Sequence, residues 1–138
     1  MHKKNWTKTL LTFLLCLLPL LGGQALANEG GKASAEGGGL TAPLEPFTVN
    51  LMSFDRYLQI SITVQVAHPE ISDRIKTLMP MVRHSLLMLL SAKESQQLQS
   101  ADGKHELMEE IKDKINKVLD VKEHDGVTDV YFVNFVIQ

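Results

Sequence analysis

Alternation of apolar and polar side chains predicts two neighbouring strands near the middle of the chain. Apolar residues occupy every second position from 58 to 66, which is typical of a strand with one buried face. A shorter alternation covers residues 47–52, and only residues 53–56 separate the two patterns. So short a connection predicts an antiparallel hairpin. The residues expected to face the core are Phe47, Val49, Leu51, Leu58, Ile60, Ile62, Val64 and Val66.

After these strands the apolar period changes to steps of three and four, which is typical of amphipathic helices. One apolar stripe extends from Ile71 to Leu90, with Pro80 in its middle. Because proline lacks the main-chain donor and clashes with the preceding turn, we expect a kink or a break near Leu78. A second stripe extends from Leu107 to Leu119, and Ser100 is the expected N-cap of that helix.

Residues 127–137 form the last predicted strand, and apolar side chains occur at positions of both parities. Such a strand is expected to be covered on both faces or to be central in its sheet. The order strand, strand, helices, strand predicts an α+β domain, in which a small antiparallel sheet carries two to three helices on one face. The alternation places Tyr131, Val133, Phe135 and Ile137 on one side of the last strand, and Val130, Phe132 and Val136 on the other.

The first 27 residues have the three parts of a secretory signal peptide. Lysines without acidic residues occupy the first eight positions, residues 10–21 are almost wholly apolar, and Ala25 and Ala27 form a cleavage motif before Asn28. An uncleaved signal anchor is the alternative, because residues 10–27 are just long enough to span a bilayer. The glycine-rich residues 28–46 are expected to be a flexible linker, followed by a folded domain at 47–138.

Charge and cysteine content narrow the possible functions. Cleavage after Ala27 leaves 11 basic and 16 acidic residues, a net charge of −5 instead of the −2 of the whole chain. This acidic balance argues against a nucleic-acid partner, because neutralising phosphates requires clustered Lys and Arg. The single cysteine, Cys16, lies in the apolar segment, so a mature chain would have no disulfide, no cysteine metal ligand and no cysteine nucleophile.

Motifs for catalysis are nearly absent from the sequence. His105 and Glu109 are four residues apart, as in the first half of a zinc-binding helix motif, but the second histidine of that motif is missing. Only His124 or Asp125 could add a ligand, and an exposed helix face explains the same pattern. Ser85 lacks the glycines of a nucleophile elbow. We therefore predict no catalytic residue, no cofactor and no metal site.

Two segments carry more apolar side chains than one buried face requires, namely residues 86–90 and residues 131–137. A tightly wrapped core and a protein–protein interface both explain such a surplus. The interface hypothesis assigns partner binding or self-association to Leu86, Leu87, Met88, Leu90, Tyr131 and Phe135.

Four ordered segments resemble the family of the flagellar basal-body-associated protein FliL. Residues 56–66 are similar to the second strand of the family, and residues 79–91 to its long helix with an internal proline and a leucine run. Residues 103–119 are similar to its following helix, and residues 130–138 to its C-terminal strand. The resemblance covers residues 47–138, the whole predicted domain.

This resemblance implies a non-enzymatic, periplasmic domain with a stomatin/prohibitin-like fold. It further implies association with the stator units and basal body of the flagellar motor, self-association that can extend to rings, and support of torque in swimming or swarming. The family usually keeps an N-terminal transmembrane anchor, whereas residues 10–27 favour a cleavable signal, so membrane contact is expected only if that segment stays uncleaved. The alternative function is a periplasmic stomatin-like scaffold for another envelope complex.

Overall fold

The computed structural model describes residues 40–138. The predicted signal segment, its cleavage residues Ala25, Ala27 and Asn28, and residues 28–39 of the predicted linker lie outside the described residues. The predicted α+β class is confirmed, with an antiparallel sheet of four strands and four α-helices in the described part of the chain. The elements are β1 (Leu40–Pro43), β2 (Phe47–Asn50), β3 (Tyr57–Val66), α1 (Pro69–Thr77), α2 (Met79–Ser91), α3 (Ser95–Gln99), α4 (Ala101–Leu119), a 3-10 turn (Glu123–Asp125) and β4 (Val127–Ile137).

The central strand of the sheet is β3, which is paired on both edges. Residues 63–66 of β3 pair with β1 and residues 57–60 pair with β2, both antiparallel, which confirms the predicted hairpin. Most of the same β3 residues also pair with β4, so β1 and β2 share one edge and β4 occupies the other. Of the two arrangements predicted for the last strand, the central position is therefore wrong, because the second edge of β4 has no partner among residues 40–138.

The fold begins earlier than the sequence pattern predicts. Residues 40–46 were assigned to the linker, yet β1 pairs with β3 and the side chains of Ala42 and Leu44 are buried. The amide of Leu44 donates to the carbonyl oxygen of Ile62 at 2.9 Å, which extends the pairing beyond Pro43. Proline is tolerated here because it ends an edge strand, where a missing donor is least costly.

The helices cover one face of the sheet. The inward residues of β3 form one core with the apolar stripes of the helices. The predicted break at Leu78 is confirmed, since α1 ends at Thr77 and α2 begins at Met79, with Pro80 in its first turn. Proline is favourable there because a first-turn amide has no partner within the helix. None of the helices within residues 40–138 is long and apolar enough to cross a membrane.

A bulge in β4 changes which of its side chains face the helices. Ser61 is opposite Asn134 and Ile62 is opposite Phe132, so Val133 is an extra residue without a partner. Phe135 and Ile137 therefore lie opposite inward residues of β3, on the same face as Phe132. The prediction that they share a face with Tyr131 is wrong, because a simple alternation does not include the extra residue.

Asn116 of α4 fastens the beginning of β4 to the helix layer. Its side-chain amide donates to the carbonyl oxygen of Val127 at 2.9 Å and its side-chain oxygen accepts from the amide of Val127 at 2.7 Å. Both residues are buried. Gly126 makes this approach possible, because a Cβ atom at that position would lie 2.2 Å from Oδ1 of Asn116.

Candidate partner-binding surface

Two of the residues predicted for an interface belong to the core. Leu86 and Leu90 of α2 are 0% exposed and continue the buried stripe that begins at Val82. Their assignment to a partner surface is wrong for the folded domain, because the helix turns both of them toward the sheet. Leu87 is half-buried, and Met88 is 61% exposed.

The two aromatic residues predicted for the same interface lie on different faces of β4. Tyr131 is 46% exposed on the sheet face opposite the helices, and its hydroxyl donates to Oε1 of Gln65 at 2.7 Å. Phe135 is half-buried on the helix side, with its ring 5.3 Å from that of Phe132. Met88 and Tyr131 are therefore separated by the sheet, and the predicted residues do not form one continuous surface.

Four exposed apolar residues of the sheet form a group, and only Tyr131 among them is a predicted interface residue. Tyr57, Tyr131, Val133 and Val136 are all exposed, and we call them the sheet patch. Val133 is 71% exposed because the bulge removes it from the regular pairing. The sequence contains a signal for this irregularity, because the two consecutive apolar residues Phe132 and Val133 interrupt a strict alternation. Exposed apolar groups of this kind mark surfaces for other proteins.

The second edge of β4, which has no partner among residues 40–138 and which we call the free edge, offers main-chain groups beside the sheet patch. Tyr57 and Gln138 exchange two main-chain hydrogen bonds, of 2.9 and 3.0 Å. Because antiparallel pairing alternates, the next residues inward, Ile137 and then Phe135, direct their amide and carbonyl groups away from β3. An unpaired edge of this length can accept an extended segment of another chain.

A cavity lies where the sheet ends near Tyr57 and Gln138. Its volume is about 270 Å³, and we call it the end pocket. The ammonium group of Lys104 lies 5.3 Å from the centre of the Phe135 ring, and no ion pair joins Lys104 or Arg56 to an acidic residue within residues 40–138. The pocket therefore places the positive charges of Arg56 and Lys104 beside the side chains of Phe135 and Ile137. It is lined by Arg56, Leu98, Gln99, Lys104, Phe135 and Ile137.

The most strongly perturbed ionisable groups serve the fold. The Nζ atom of the buried Lys112 lies 2.6 Å from Oε2 of Glu109 and 2.8 Å from Oε1 of Glu123. Hydrogen bonds to Glu109 and then to Glu123 raise the pKa of Lys112 well above its ordinary value, although burial opposes this shift. The hydrogen bond between Lys112 and Glu109 also lowers the pKa of Glu109. This cluster joins α4 to the 3-10 turn.

The histidines considered for a metal site are not brought together with enough ligands. Glu109 is paired with Lys112, and the Nε2 atom of His124 lies 3.1 Å from Oδ2 of its neighbour Asp125. Residues 40–138 contain no group of three or more His, Cys, Asp or Glu side chains that could hold a metal ion.

Comparison with known protein families gives a match over almost the whole described domain. Residues 41–138 match the family described as "Flagellar basal body-associated protein FliL". The match begins within β1, so it includes the strand that the sequence pattern did not predict.

Individual relatives give the same result. The chain is 34% identical to "Flagellar protein FliL" of Aquifex aeolicus over 95 residues, which cover 67% of this chain and 57% of the relative. It is 34% identical over 96 residues to the protein of that name from Escherichia coli K12, covering 69% of this chain and 62% of the relative. It is 26% identical over 119 residues to the Bacillus subtilis protein, covering 86% and 82%. The matched part thus spans less than two thirds of the first two relatives.

Proposed function

The chain belongs to the family of flagellar basal body-associated FliL proteins, and from this membership we propose that it is a non-enzymatic accessory protein of the flagellar motor. In this proposal the domain associates with stator units at the basal body, self-associates, and supports torque during swimming or swarming. The observation that carries the proposal is the family match over residues 41–138.

We place the domain on the periplasmic side of the inner membrane. The support for this location is the basic and apolar segment at residues 1–27, which has the pattern of an export signal. If the segment is retained it anchors the domain beside the motor, and if it is removed the domain reaches the basal body only through protein contacts. Sequencing the N-terminus of the protein isolated from cells tests this point, since Met1 indicates an anchor and Asn28 indicates cleavage after Ala27.

The sheet patch and the free edge of β4 are the surfaces that we assign to the stator. Val133 supports this assignment because it is exposed, apolar and adjacent to unpaired main-chain groups. A partner strand on this edge would gain main-chain hydrogen bonds and would bury Val133 and Tyr131 at once. Met88 of α2 lies on the other side of the domain and is available for a separate contact.

The experiment is a gene deletion that is complemented with single variants, in cells whose flagellar filaments are counted. We expect the deletion to reduce swimming or swarming under load while the filaments remain, and the unaltered gene to restore motility. Val133→Asp should fail to restore it, because a charge on the patch prevents burial against the partner. Gln96→Asp, at an exposed position of α3 outside the sheet patch, is the matched control and should restore motility.

Stator subunits should co-purify with the unaltered chain and with Gln96→Asp, and should be depleted with Val133→Asp. Unchanged motility of the deletion strain at every load would contradict the motor role. Equal stator recovery with both variants would contradict the surface assignment while leaving the motor role in place.

The alternative function is a periplasmic scaffold for another envelope complex. The cleavage motif at Ala25 and Ala27 favours it, because a cleaved protein loses the anchor that would hold it at the motor. In this case the purified complex would contain envelope proteins without stator subunits, and deletion would leave motility unchanged.

A further inference from the structure

We propose that the free edge of β4 receives an extended segment of another protein in which an aspartate or glutamate stands between two apolar residues, and that Arg56 and Lys104 of the end pocket bind this carboxylate. The inference rests on the proposed function, because it specifies the chemistry of the partner segment at the surface assigned there. It depends on the direction of the main-chain groups of β4, on the sheet face that a paired side chain would reach, and on the charges beside that position.

The pairing of β4 with β3 determines which main-chain groups point to the free edge. Tyr57 and Gln138 exchange both of their main-chain hydrogen bonds, and residues 134–137 continue this pairing without interruption. In an antiparallel pair, residues bonded in this way alternate with residues whose amide and carbonyl groups point to the opposite edge. The main-chain groups of Ile137 and Phe135 therefore point to the free edge, where a partner strand would bind them.

A partner side chain opposite Phe135 or Ile137 would lie on the helix side of the sheet. Directly opposite residues of neighbouring strands place their side chains on the same face. Phe135 and Ile137 are themselves opposite Ile60 and Leu58, which are buried under the helices. The preceding and following residues of the partner would lie on the other face, beside the exposed Val136 of the sheet patch. The two faces of the partner segment would thus meet different surroundings.

The surroundings on the helix side are those of the end pocket, which suits a carboxylate. Phe135 and Ile137 line this pocket together with Arg56 and Lys104, and the ammonium group of Lys104 lies 5.3 Å from the centre of the Phe135 ring. The pocket is open to solvent, and its residue Leu98 is only 1% exposed, so the pocket offers an incoming side chain little apolar surface. Arg56 and Lys104 can instead form charge-assisted hydrogen bonds with an acidic side chain.

The charge distribution of the domain makes this end of the free edge selective for an acidic residue. Residues 40–138 carry 10 basic and 14 acidic side chains, so the domain as a whole repels acidic segments. Arg56 and Lys104 are a local exception, because within this part of the chain neither of them forms an ion pair. Complementary charge at one position of an interface determines which partner binds and in which register.

These surroundings together predict a sequence pattern in the partner, namely apolar, acidic and apolar at three consecutive positions. Main-chain hydrogen bonds to Phe135 and Ile137 would contribute affinity for any extended segment. The carboxylate would fix the register, because a shift by one residue would move the acidic side chain to the sheet patch and an apolar side chain to the two positive charges. The end pocket therefore acts as the specificity site of the free edge.

The experiment uses the full-length chain in cells, with the photoreactive amino acid p-benzoylphenylalanine in place of Gln99, which lines the end pocket. After irradiation the cross-linked peptide is identified by mass spectrometry. We expect a peptide of another protein that contains Asp or Glu between two apolar residues. The control places the same photoreactive amino acid at Met81, an exposed position of α2, and should give at least tenfold less of this product.

A charge reversal tests the role of the two basic residues. Arg56→Glu combined with Lys104→Glu should lower the yield of the cross-linked product at least tenfold, and replacing the acidic residue of the captured peptide with lysine should restore at least half of it. The matched control, Lys114→Glu with Lys122→Glu, makes the same change of net charge at exposed positions toward the other end of α4 and should change the yield less than twofold. Lys104→Arg keeps the charge and should keep the yield.

The possible failures of this contact can be distinguished from failure of the proposed function. The contact would be overturned by the absence of a cross-linked product, by a peptide without an acidic residue, by a peptide from a second copy of this chain, or by equal yields from the reversed pocket and its control. If Val133→Asp still depletes stator subunits in any of these cases, the motor role stands without the contact. A captured peptide with the predicted pattern from an envelope protein other than a stator subunit would support the contact and contradict the stator as its partner.

Discussion

Replacing Asn116 with alanine tests whether the contact between α4 and β4 holds the second edge of the sheet in place. Asn116→Ala removes both hydrogen bonds to Val127, of 2.9 and 2.7 Å, in a position that water does not reach. It leaves a buried amide and a buried carbonyl group at Val127 without these partners. Replacing an exposed asparagine would not have this cost, because water would bind to the groups that lose their partner.

The size of the effect follows from the two bonds. An unsatisfied buried main-chain group costs about 1–3 kcal/mol, so the loss of both bonds should lower the free energy of unfolding by about 2–6 kcal/mol. That is a large part of the roughly 5–15 kcal/mol that stabilises a typical domain. Asn116→Asp should be similarly destabilising, because a carboxylate cannot donate to the carbonyl oxygen of Val127.

Urea unfolding followed by circular dichroism measures the free energy of unfolding of Asn116→Ala and of the unaltered chain. Asn134→Ala, on the exposed part of β4, is the matched control and should change the free energy of unfolding by less than about 0.5 kcal/mol. A change below about 1 kcal/mol in Asn116→Ala would refute the reasoning, since it would show that water or a main-chain shift replaces both bonds.

The other predictions concern the ion cluster, a helix cap and a close approach. Lys112→Met should be nearly neutral or stabilising in urea unfolding, whereas Glu109→Gln combined with Glu123→Gln should be destabilising, because it leaves the ammonium group of Lys112 without its two carboxylate partners. The raised pKa of Lys112 contributes stability that is lost as the pH rises above about 10.4, and the lowered pKa of Glu109 contributes stability that is lost as the pH falls below about 4.3. The melting temperature of Lys112→Met should therefore fall less at high and at low pH than that of the unaltered chain. Ser100→Ala should cost about 1 kcal/mol, since the Ser100 hydroxyl accepts from the amide of residue 103 at 3.0 Å, and a cost below 0.3 kcal/mol would contradict its role as a cap. Gly126→Ala should lower the melting temperature by at least about 4 °C, corresponding to about 1 kcal/mol, because the added Cβ meets Oδ1 of Asn116, and an unchanged melting temperature would contradict this.

The elements with strong local patterns could be predicted from the sequence. The inward face of β3, the hairpin with β2 and the helix break at Leu78 depend on side-chain period and on proline, and both are local properties. The strand β1 was missed because it has four residues, lies beside a glycine-rich segment and ends in Pro43. Its strand conformation depends on pairing with β3, which no local pattern shows.

The candidate surface was harder to predict than the fold. The leucine-rich segment contains core residues such as Leu86 and exposed residues such as Met88, and only packing against the sheet distinguishes them. The orientation of Phe135 depends on the bulge at Val133, which is a property of the paired strands. The end pocket could not be predicted because it combines Arg56 with Lys104, which are distant in sequence.

The position of β3 between strands from both ends of the domain determines when the sheet can be completed during synthesis. The partners of β3 on one edge precede it in the chain, but its partner on the other edge is β4, more than sixty residues later. Pairing two strands that are so far apart in sequence is slow, because no local contact brings them together first. A chain that emerges from its N-terminus first therefore cannot finish this sheet until residue 137 has left the ribosome. Premature termination before β4 should therefore give an unfolded product.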